Sequence, residues 1–259
     1  MTKSYVSSIN ETCFQLLGRQ TFVADELDYS VLERHKSVLQ RLAETSNSAI
    51  SVFDNYKKTH VFHSSNFGSV LGYSTNDLEN DGEFFLTPKI HPNDFIILEH
   101  NAVIILKSFF NFSIDERLNH KFISEYRILN SAGNYVRVIE QQQVLELDTF
   151  GNYWLMLSIL DISPNQKNMH EGIKSELLNF RTGKIISCFE SQEDIANTLT
   201  KREIEVLKLV KDGFLSKEIS DQLTISLHTV NTHRQRVLEK LGVNNSMEAV
   251  MLASKLGLI

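Results

Sequence analysis

The chain has 259 residues, of which 42% are hydrophobic and 22% charged, and its formal net charge is −6. This length allows one large domain or two ordinary ones, each with its own core. No apolar run reaches the roughly 18 residues that a membrane-spanning helix needs, and the N-terminus has no continuous apolar segment of the signal-peptide kind. The composition therefore predicts a globular protein of the cytoplasm with no membrane partner.

Charge is distributed unevenly along the chain. Residues 198–259 contain nine Lys and Arg against seven Asp and Glu, which gives this segment a charge of +2 and leaves −8 for the first 197 residues. A basic C-terminal segment in an acidic chain indicates a partner with negative charge. The two cysteines, Cys13 and Cys188, match no metal-binding or redox spacing.

The predicted elements follow one another in a clear order. Residues 1–41 are expected to form a helical extension, because "YSVLERHKSVLQRLAE" repeats apolar residues at helical spacing. "AISVFD" and "HVFHSS" then predict two short strands. "HPND" opens a long helix, since Asn93 and Asp94 favour the positive end of a helix and proline is tolerated in its first turn. "KFISEYRILN", "YVRVIEQQQVLEL" and "YWLMLSILDI" predict three more strands, separated by the Gly-Asn turn signals "SAGN" and "TFGN".

This order predicts an α+β domain over residues 42–163, in which helices cover one face of an antiparallel sheet. The strings "LGYSTNDL", "IHPNDF", "EYRILNSAGNYVRV" and "LDIS" resemble those of a PAS domain. Residues 164–197 are expected to be a linker, although "NFRTGKIIS" could form a short hairpin that turns at Thr182 and Gly183.

The PAS resemblance implies a cavity for a small molecule or cofactor between sheet and helices, or alternatively a surface for dimerisation. Neither cysteine lies inside the domain, so the cysteine adduct of flavin light sensors is not expected. Haem-binding members place a histidine on the long helix, where this chain has His100, but a lone histidine on an apolar helix is more often a core or surface residue. Haem is therefore not the expected ligand. The candidate pocket residues are His63, His100, Tyr126 and Ser158.

Residues 198–259 predict four short helices with strong capping signals. Thr200 and Glu203 form a capping-box pair before "REIEVLKLVKDG", and Gly213 supplies a left-handed stop. Ser216 is expected to cap a second helix and Ser226 a third, which ends at Gly242; a fourth begins near Asn245 and ends at Gly257. A tight turn between the second and third helices predicts a helix-turn-helix.

The third of these helices, "SLHTVNTHRQRVLEKLG", carries one apolar and one hydrogen-bonding face. Val230, Val237 and Leu241 fall on one stripe, and an unusual set of polar side chains lies opposite. Such a face suits the major groove of DNA, because amide and guanidinium groups bond base edges there. The candidate base-reading residues are Asn231, Thr232, Gln235 and Arg236, and the candidate phosphate contacts are Lys217, Thr229, His233, Arg234 and Lys240.

Residues 199–259 resemble the LuxR/FixJ-type DNA-binding domain in the strings "LTKREIEVL", "DGFLSKEIS", "TVNTHR", "VLEKLGV" and "KLGLI". The resemblance puts the groove-facing sites of that family on Asn231, Thr232 and Gln235, and suggests the fourth helix as a dimer contact. Members of the family often have lysine or arginine where this chain has Asn231. The asparagine would lower the affinity for DNA or favour adenine at the base that it contacts. The implied protein is a DNA-binding transcription regulator that acts as a homodimer on double-stranded DNA, with RNA polymerase as a further candidate partner.

Other functions fit the sequence less well. Its strand order is wrong for a phosphate-receiver domain, and it contains no Gly-rich phosphate loop, nucleophile elbow or metal-binding His and Cys spacing. His91 and Asp94 stand near each other at a helix start, where they are expected to cap rather than catalyse. An enzyme is therefore not expected. The alternative left open is a protein-interaction or dimerisation module whose C-terminal helices bind little DNA.

Overall fold

The protein consists of two compact units, Met1–Cys188 and Phe189–Ile259. A computed structural model describes residues 16–74, 77, 85–167, 169, 172–187, 198–243, 245–255 and 258–259. Among these residues, no helix combines the length and the apolar character needed to cross a membrane. Cys13, Cys188 and the predicted stop at Gly257 lie outside the described residues.

The described residues of the first unit include an antiparallel sheet of seven strands in the order β2-β1-β5-β4-β3-β6-β7. Its strands are β1 Ala49–Asp54, β2 Thr59–His63, β3 His120–Leu129, β4 Tyr135–Leu147, β5 Tyr153–Ile162, β6 Lys174–Asn179 and β7 Ile185–Ser187. Among the described residues, the α-helices of this unit are α1 Ser30–Ser46, α2 Pro92–Phe110 and the single turn α3 Ile114–Arg117. The five strands predicted for the PAS-like domain and the long helix opened by "HPND" are confirmed, and the fold class is α+β and PAS-like.

Three hairpin turns use the same local chemistry. An Asn or Asp at the end of the first strand accepts two backbone N–H bonds from the turn, and a glycine with positive φ completes it. The glycines are Gly133 (φ 78°), Gly151 (φ 83°) and Gly183 (φ 72°). Glycine suits these positions because a Cβ makes this backbone region costly. The turns explain why the strands pair with their neighbours along the chain.

The two faces of the sheet are covered by different helices. Leu32, Leu39 and Ala43 of α1 pack on Ile50 and Leu157, on one face. Side chains of α2 pack on the other face, where Ile105 and Phe109 belong to the same cluster as Phe122, Val144 and Leu177. Because side chains alternate between faces along a strand, Ile50 and Ser51 face opposite helices.

The prediction of a linker over residues 164–197 is wrong for the part that forms β6 and β7. Six residues of β6 pair with β3, from Lys174 opposite Glu125 to Asn179 opposite His120. The hairpin at "NFRTGKIIS" is confirmed, since β7 pairs with β6 across a turn that contains Gly183. Apolar residues of β6 supply the reason: Leu177 is buried against α2 and extends the core of the sheet.

Two paired arginines attach the segment before β6 to the sheet. Arg127 and Arg137 lie opposite each other on β3 and β4, and each is bound to a carboxylate, Asp94 and Glu125 respectively. Each also donates to a backbone carbonyl of the segment, at Met169 O (3.2 Å) and Gly172 O (3.2 Å). Arg137 is fully buried, which a guanidinium tolerates only when it is paired and hydrogen-bonded.

The described residues of the second unit form four helices, as predicted. They are α4 Lys201–Lys211, α5 Ser216–Leu223, α6 Leu227–Leu241 and α7 Ser246–Lys255. Its core includes Val206, Ile219 and Val230, one from each of the first three helices. The Thr200 and Glu203 capping box, the Ser226 cap and the left-handed stop at Gly242 are confirmed.

The cap predicted at Ser216 is wrong. Leu215 occupies the N-cap position of α5, and its backbone N–H donates to Glu218 Oε2 at 2.7 Å. Ser216 is the first helical residue, and its hydroxyl accepts a hydrogen bond from Arg234 instead. Glu218 thus satisfies the backbone donor of the N-cap residue, which is the glutamate half of a capping box.

Candidate nucleic-acid interface

The N-terminal end of α6 is shaped by its capping residue. Ser226 Oγ accepts a hydrogen bond from the backbone N–H of Thr229 at 3.0 Å and lies 2.8 Å from Thr229 Oγ1. This cap satisfies one of the unpaired donors of the first turn. The first turn of a helix also carries the positive end of its dipole, so this end of α6 suits an approach to phosphate groups.

The predicted base-reading residues lie on the side of α6 away from the core. Asn231, Gln235 and Arg236 are exposed, whereas Val230, Val237 and Leu241 are buried. Thr232 is half-buried, and its hydroxyl donates to the carbonyl of His228 at 3.0 Å, which leaves its methyl group for contact. Gln235 donates to Glu239 Oε1 at 3.1 Å along the exposed surface. These four residues offer amide, guanidinium and methyl groups on two consecutive turns.

The predicted phosphate contacts fall into two groups. Lys217 is exposed, and within the described part of the chain its ammonium group makes no hydrogen bond or ion pair. Thr229 is half-buried at the start of α6. His233 is half-buried, and its Nδ1 is enclosed with no hydrogen-bond partner among the described residues. Of these three side chains, Lys217 is the one that can reach an anion without rearrangement.

Arg234 and Lys240 are held by partners inside the unit. The Arg234 guanidinium bridges the hydroxyls of Ser216 and Ser246, at 2.7 and 3.0 Å, and so joins α5, α6 and α7. Lys240 Nζ lies 2.7 and 3.0 Å from the two carboxylate oxygens of Glu203 on α4. Sequence spacing could not show these contacts, because each partner belongs to a different helix.

Glu203 combines capping and ion pairing in one buried side chain. Its carboxylate accepts the backbone N–H of Thr200 at 2.7 Å as well as the ammonium of Lys240. Burial by itself raises the pKa of Glu203, but the hydrogen bonds from Lys240 and Thr200 outweigh it and hold the pKa below its ordinary value. The carboxylate thus stays ionised and fixes the relative position of α4 and α6.

Three of the four predicted pocket residues share the sheet face that α2 covers. His63 pairs with Ser51, which in turn pairs with Ser158, and directly paired residues lie on the same face. Tyr126 lies on that face too, because its hydroxyl and that of Ser158 both donate to Glu140, at 2.9 and 2.6 Å. Glu140 connects two of the predicted pocket residues and was not itself among the predicted residues.

His63 and His100 are less closely associated with this site. His63 is exposed on edge strand β2, three strands and about 14 Å from the strand that carries Glu140. His100 is buried on α2, and burial, followed by repulsion from Lys107, lowers its pKa to about 4. His100 is therefore neutral at pH 7. The described residues contain no group of three or more His, Cys, Asp or Glu side chains that could hold a metal ion.

Comparison with known proteins identifies the second unit. The sequence model of the family described as "Bacterial regulatory proteins, luxR family" matches residues 197–253. The chain is 40% identical over 90 residues to the transcriptional regulatory protein DesR of Bacillus subtilis, covering 34% of this chain and 45% of that protein. It is 39% identical over 71 residues to the oxygen regulatory protein NreC of Staphylococcus aureus, covering 25% and 33%. The chain thus spans less than half the length of these relatives.

Some solved structures are similar to about a quarter of this chain, and others to most of it. The transcription factor GerE is 38% identical and covers 24% of this chain and 91% of its own, with a TM-score of 0.23. VqmA of Vibrio cholerae is 14% identical and covers 85% of this chain and 88% of its own, with a TM-score of 0.29. Residues 197–253 carry the family assignment: the C-terminal unit is a helix-turn-helix domain of the LuxR family of bacterial regulatory proteins, joined to a PAS-like α+β domain.

Proposed function

We propose that the protein is a cytoplasmic transcription regulator that binds double-stranded DNA through α6. The observation that carries this proposal is the exposed polar face of α6 within a unit that matches the LuxR family. In this proposal, Asn231, Thr232, Gln235 and Arg236 contact base edges. Lys217 and the capped first turn, with Thr229, contact phosphates and set the position of the helix.

The two remaining cations have a mainly structural part in this proposal. Lys240 is bound to Glu203, and Arg234 to two serine hydroxyls, so an approach to phosphate would cost these contacts. The His233 side chain is half-buried, with its Nδ1 enclosed. Lys240 is therefore not among the proposed phosphate contacts. The proposed role of Arg234 and His233 is to hold α6 in place.

The proposal includes a homodimer, because one helix of this size reads only a few base pairs. The PAS-like unit senses a small molecule or provides a dimer surface, and it alters the spacing or freedom of the two DNA-binding units. It supplies no catalysis. RNA polymerase is the expected further partner of a regulator bound beside a promoter.

DNA selection from a random-sequence pool tests this proposal. The full chain and residues 190–259 are each expected to enrich one motif, and Asn231→Ala and Gln235→Ala to relax specificity at particular base pairs. A lost bidentate base contact costs about 1–3 kcal/mol of discrimination. Thr224→Ser, at the turn before α6, serves as a control that leaves the reading face intact. Enrichment of the same motif by wild type and both alanine variants would refute the assignment of α6.

Salt dependence separates this function from the alternative, a protein-interaction module with little direct DNA binding. Phosphate neutralisation predicts that log affinity falls linearly with log salt, by about 0.9 for each phosphate contact. Lys217→Ala should lower the steepness of that dependence by about 0.9, the value for one phosphate contact, without changing the preferred motif. A chain that binds no DNA at low salt would favour the interaction module.

Comparison of the full chain with residues 190–259 tests the regulatory part. The full chain is expected to bind a two-fold-related site more tightly than the isolated unit, since a dimer engages both half-sites. Identical binding of the two under all conditions would refute control by the PAS-like unit.

A further inference from the structure

Four side chains form a line along the outer side of α6. The line consists of His228, Thr232, Gln235 and Glu239, which follow one another at spacings of four, three and four residues. At about 100° per residue these positions fall within a sector of roughly 60°, on the side of the helix opposite buried Val230. Thr232 and Gln235 are already assigned to base edges in the proposed function. His228 therefore extends the proposed base-reading face into the first turn of the helix.

The His228 side chain is exposed at the second position of α6. Within the described part of the chain, its imidazole makes no hydrogen bond, ion pair or ring contact. His233 on the same helix differs, because it is half-buried and its Nδ1 is enclosed. A neutral imidazole carries one ring N–H in either tautomer. The ring of His228 can thus donate to a partner outside the unit without breaking a contact within it.

The other side chains of the first turn are less suited to this role. Leu227 is apolar, and the Thr229 hydroxyl lies 2.8 Å from the hydroxyl of the capping residue Ser226. In helix-turn-helix proteins, the N-terminal residues of the recognition helix contact the base edges. Among Leu227, His228 and Thr229, His228 is therefore the residue with an N–H group available for a base.

The chemistry of the major groove selects a base for such a donor. Guanine presents two neighbouring acceptors there, N7 and O6. Adenine presents its N7 beside an N6 donor, cytosine presents an N4 donor, and thymine presents O4 beside a methyl group. A single N–H donor is therefore matched best by guanine.

We propose that His228 reads guanine, and that its ring N–H donates to N7 of the guanine at which the first turn of α6 enters the major groove. This inference rests on the proposed DNA-binding function and adds a residue and a base to it. The neighbouring base pairs of the same half-site are contacted by Asn231, Thr232, Gln235 and Arg236.

Replacement of single guanines by 7-deazaguanine tests this contact, because it exchanges N7 for a C–H group and leaves base pairing intact. The probe is the motif that the wild-type full chain selects from a random-sequence pool, with each guanine replaced in turn. One replacement is expected to weaken wild-type binding about three- to tenfold, the range of a single hydrogen bond. The same replacement should change the binding of His228→Ala by less than about twofold.

Two further variants sharpen this comparison. His228→Phe keeps a ring at the position but has no N–H donor, so it should be as insensitive to the replacement as His228→Ala. Thr224→Ser, at the turn before α6, should keep the wild-type penalty. Guanines contacted by other residues are an internal control, since their penalties persist in every chain. Equal 7-deaza penalties in wild type and His228→Ala at all guanines, or a motif without guanine, would overturn the assignment.

Salt dependence separates a base contact from a phosphate contact. Loss of one phosphate contact lowers the slope of log affinity against log salt by about 0.9, whereas a contact to a base edge releases no phosphate counterion. His228→Ala is therefore expected to keep the wild-type slope. A slope lower by about 0.9, with unchanged 7-deaza penalties, would assign His228 to the backbone and overturn the guanine contact.

DNA selection by the wild-type chain separates this inference from the proposed function. A chain that selects a motif whose guanine penalties do not depend on His228 would refute the guanine contact and leave the regulator function intact. A chain that selects no motif would overturn both.

Discussion

Glu203→Gln is expected to destabilise the second unit well beyond the loss of one surface charge. Glu203 is 2% exposed and accepts three hydrogen bonds, from Thr200 N and twice from Lys240 Nζ. A lost helix cap costs about 1 kcal/mol, and a lost charge-assisted bond about 1.5–3 kcal/mol. One-third exposure of the Lys240 side chain favours the lower figure, and the glutamine oxygen retains part of the cap. The expected loss is about 2 kcal/mol.

Thermal unfolding of the second unit measures this loss. For a domain of this size, about 2 kcal/mol corresponds to a Tm lower by about 8–16 °C. Glu205→Gln is the matched control, because Glu205 lies on the same helix and pairs with Arg202, but its side chain is 55% exposed. An exposed pair of this kind contributes less than about 1 kcal/mol. Equal Tm values for Glu203→Gln and Glu205→Gln would refute the reasoning.

The effect of Glu203→Gln should also depend on pH. Because the folded-state pKa of Glu203 lies below its ordinary value, the folded state binds fewer protons than the unfolded state as pH falls. The stability that Glu203 contributes is therefore complete above about pH 5 and is lost as pH falls through the folded-state pKa. The difference in Tm between wild type and Glu203→Gln should narrow below about pH 4, and a constant difference from pH 7 to pH 3 would contradict the ion pair.

Asp94→Asn, and a comparison of Gly151→Ala with Gly183→Ala, test the first unit. Asp94→Asn leaves the Arg127 guanidinium, which has 16% exposure, without its charged partner, and should lower the unfolding free energy in urea by about 2–4 kcal/mol; a loss below 1 kcal/mol would contradict the pairing. Gly151→Ala should cost more than Gly183→Ala, because both have positive φ but a Cβ at residue 151 would lie 2.8 Å from Ile114 Cγ1, whereas one at residue 183 meets nothing within 4 Å. Gly183→Ala should lower the free energy of unfolding by about 1 kcal/mol, from the backbone conformation alone. An equal loss for Gly151→Ala would show that Ile114 moves aside freely.

Local signals in the sequence predicted much of the fold. The capping box at Thr200 and Glu203, the cap at Ser226 and the glycine turns depend on residues within a few positions of one another. Strand alternation and the long helix at "HPND" were recognisable for the same reason. These features are short-range, and the same residues produce them wherever the segment lies in the fold.

Contacts between distant segments were not predictable in this way. Pairing of β6 with β3 joins residues about fifty positions apart, and no local pattern distinguishes β6 from a partly ordered linker. Lys240 was predicted to contact phosphate because its charge was visible and its partner Glu203, on another helix, was not. Glu140 was missed because its three donors come from β3, β4 and β5, and become neighbours only through strand register.

The short final strand of the sheet limits what its edge can offer to another chain. Within the described residues, β7 pairs with β6 through three residues, from Ile185 opposite Leu178 to Ser187 opposite Glu176, whereas β6 pairs with β3 through six. Very short edge strands are one means by which proteins avoid edge-to-edge pairing with a second sheet. The three-residue length of β7 therefore leaves little template for the association of two such sheets.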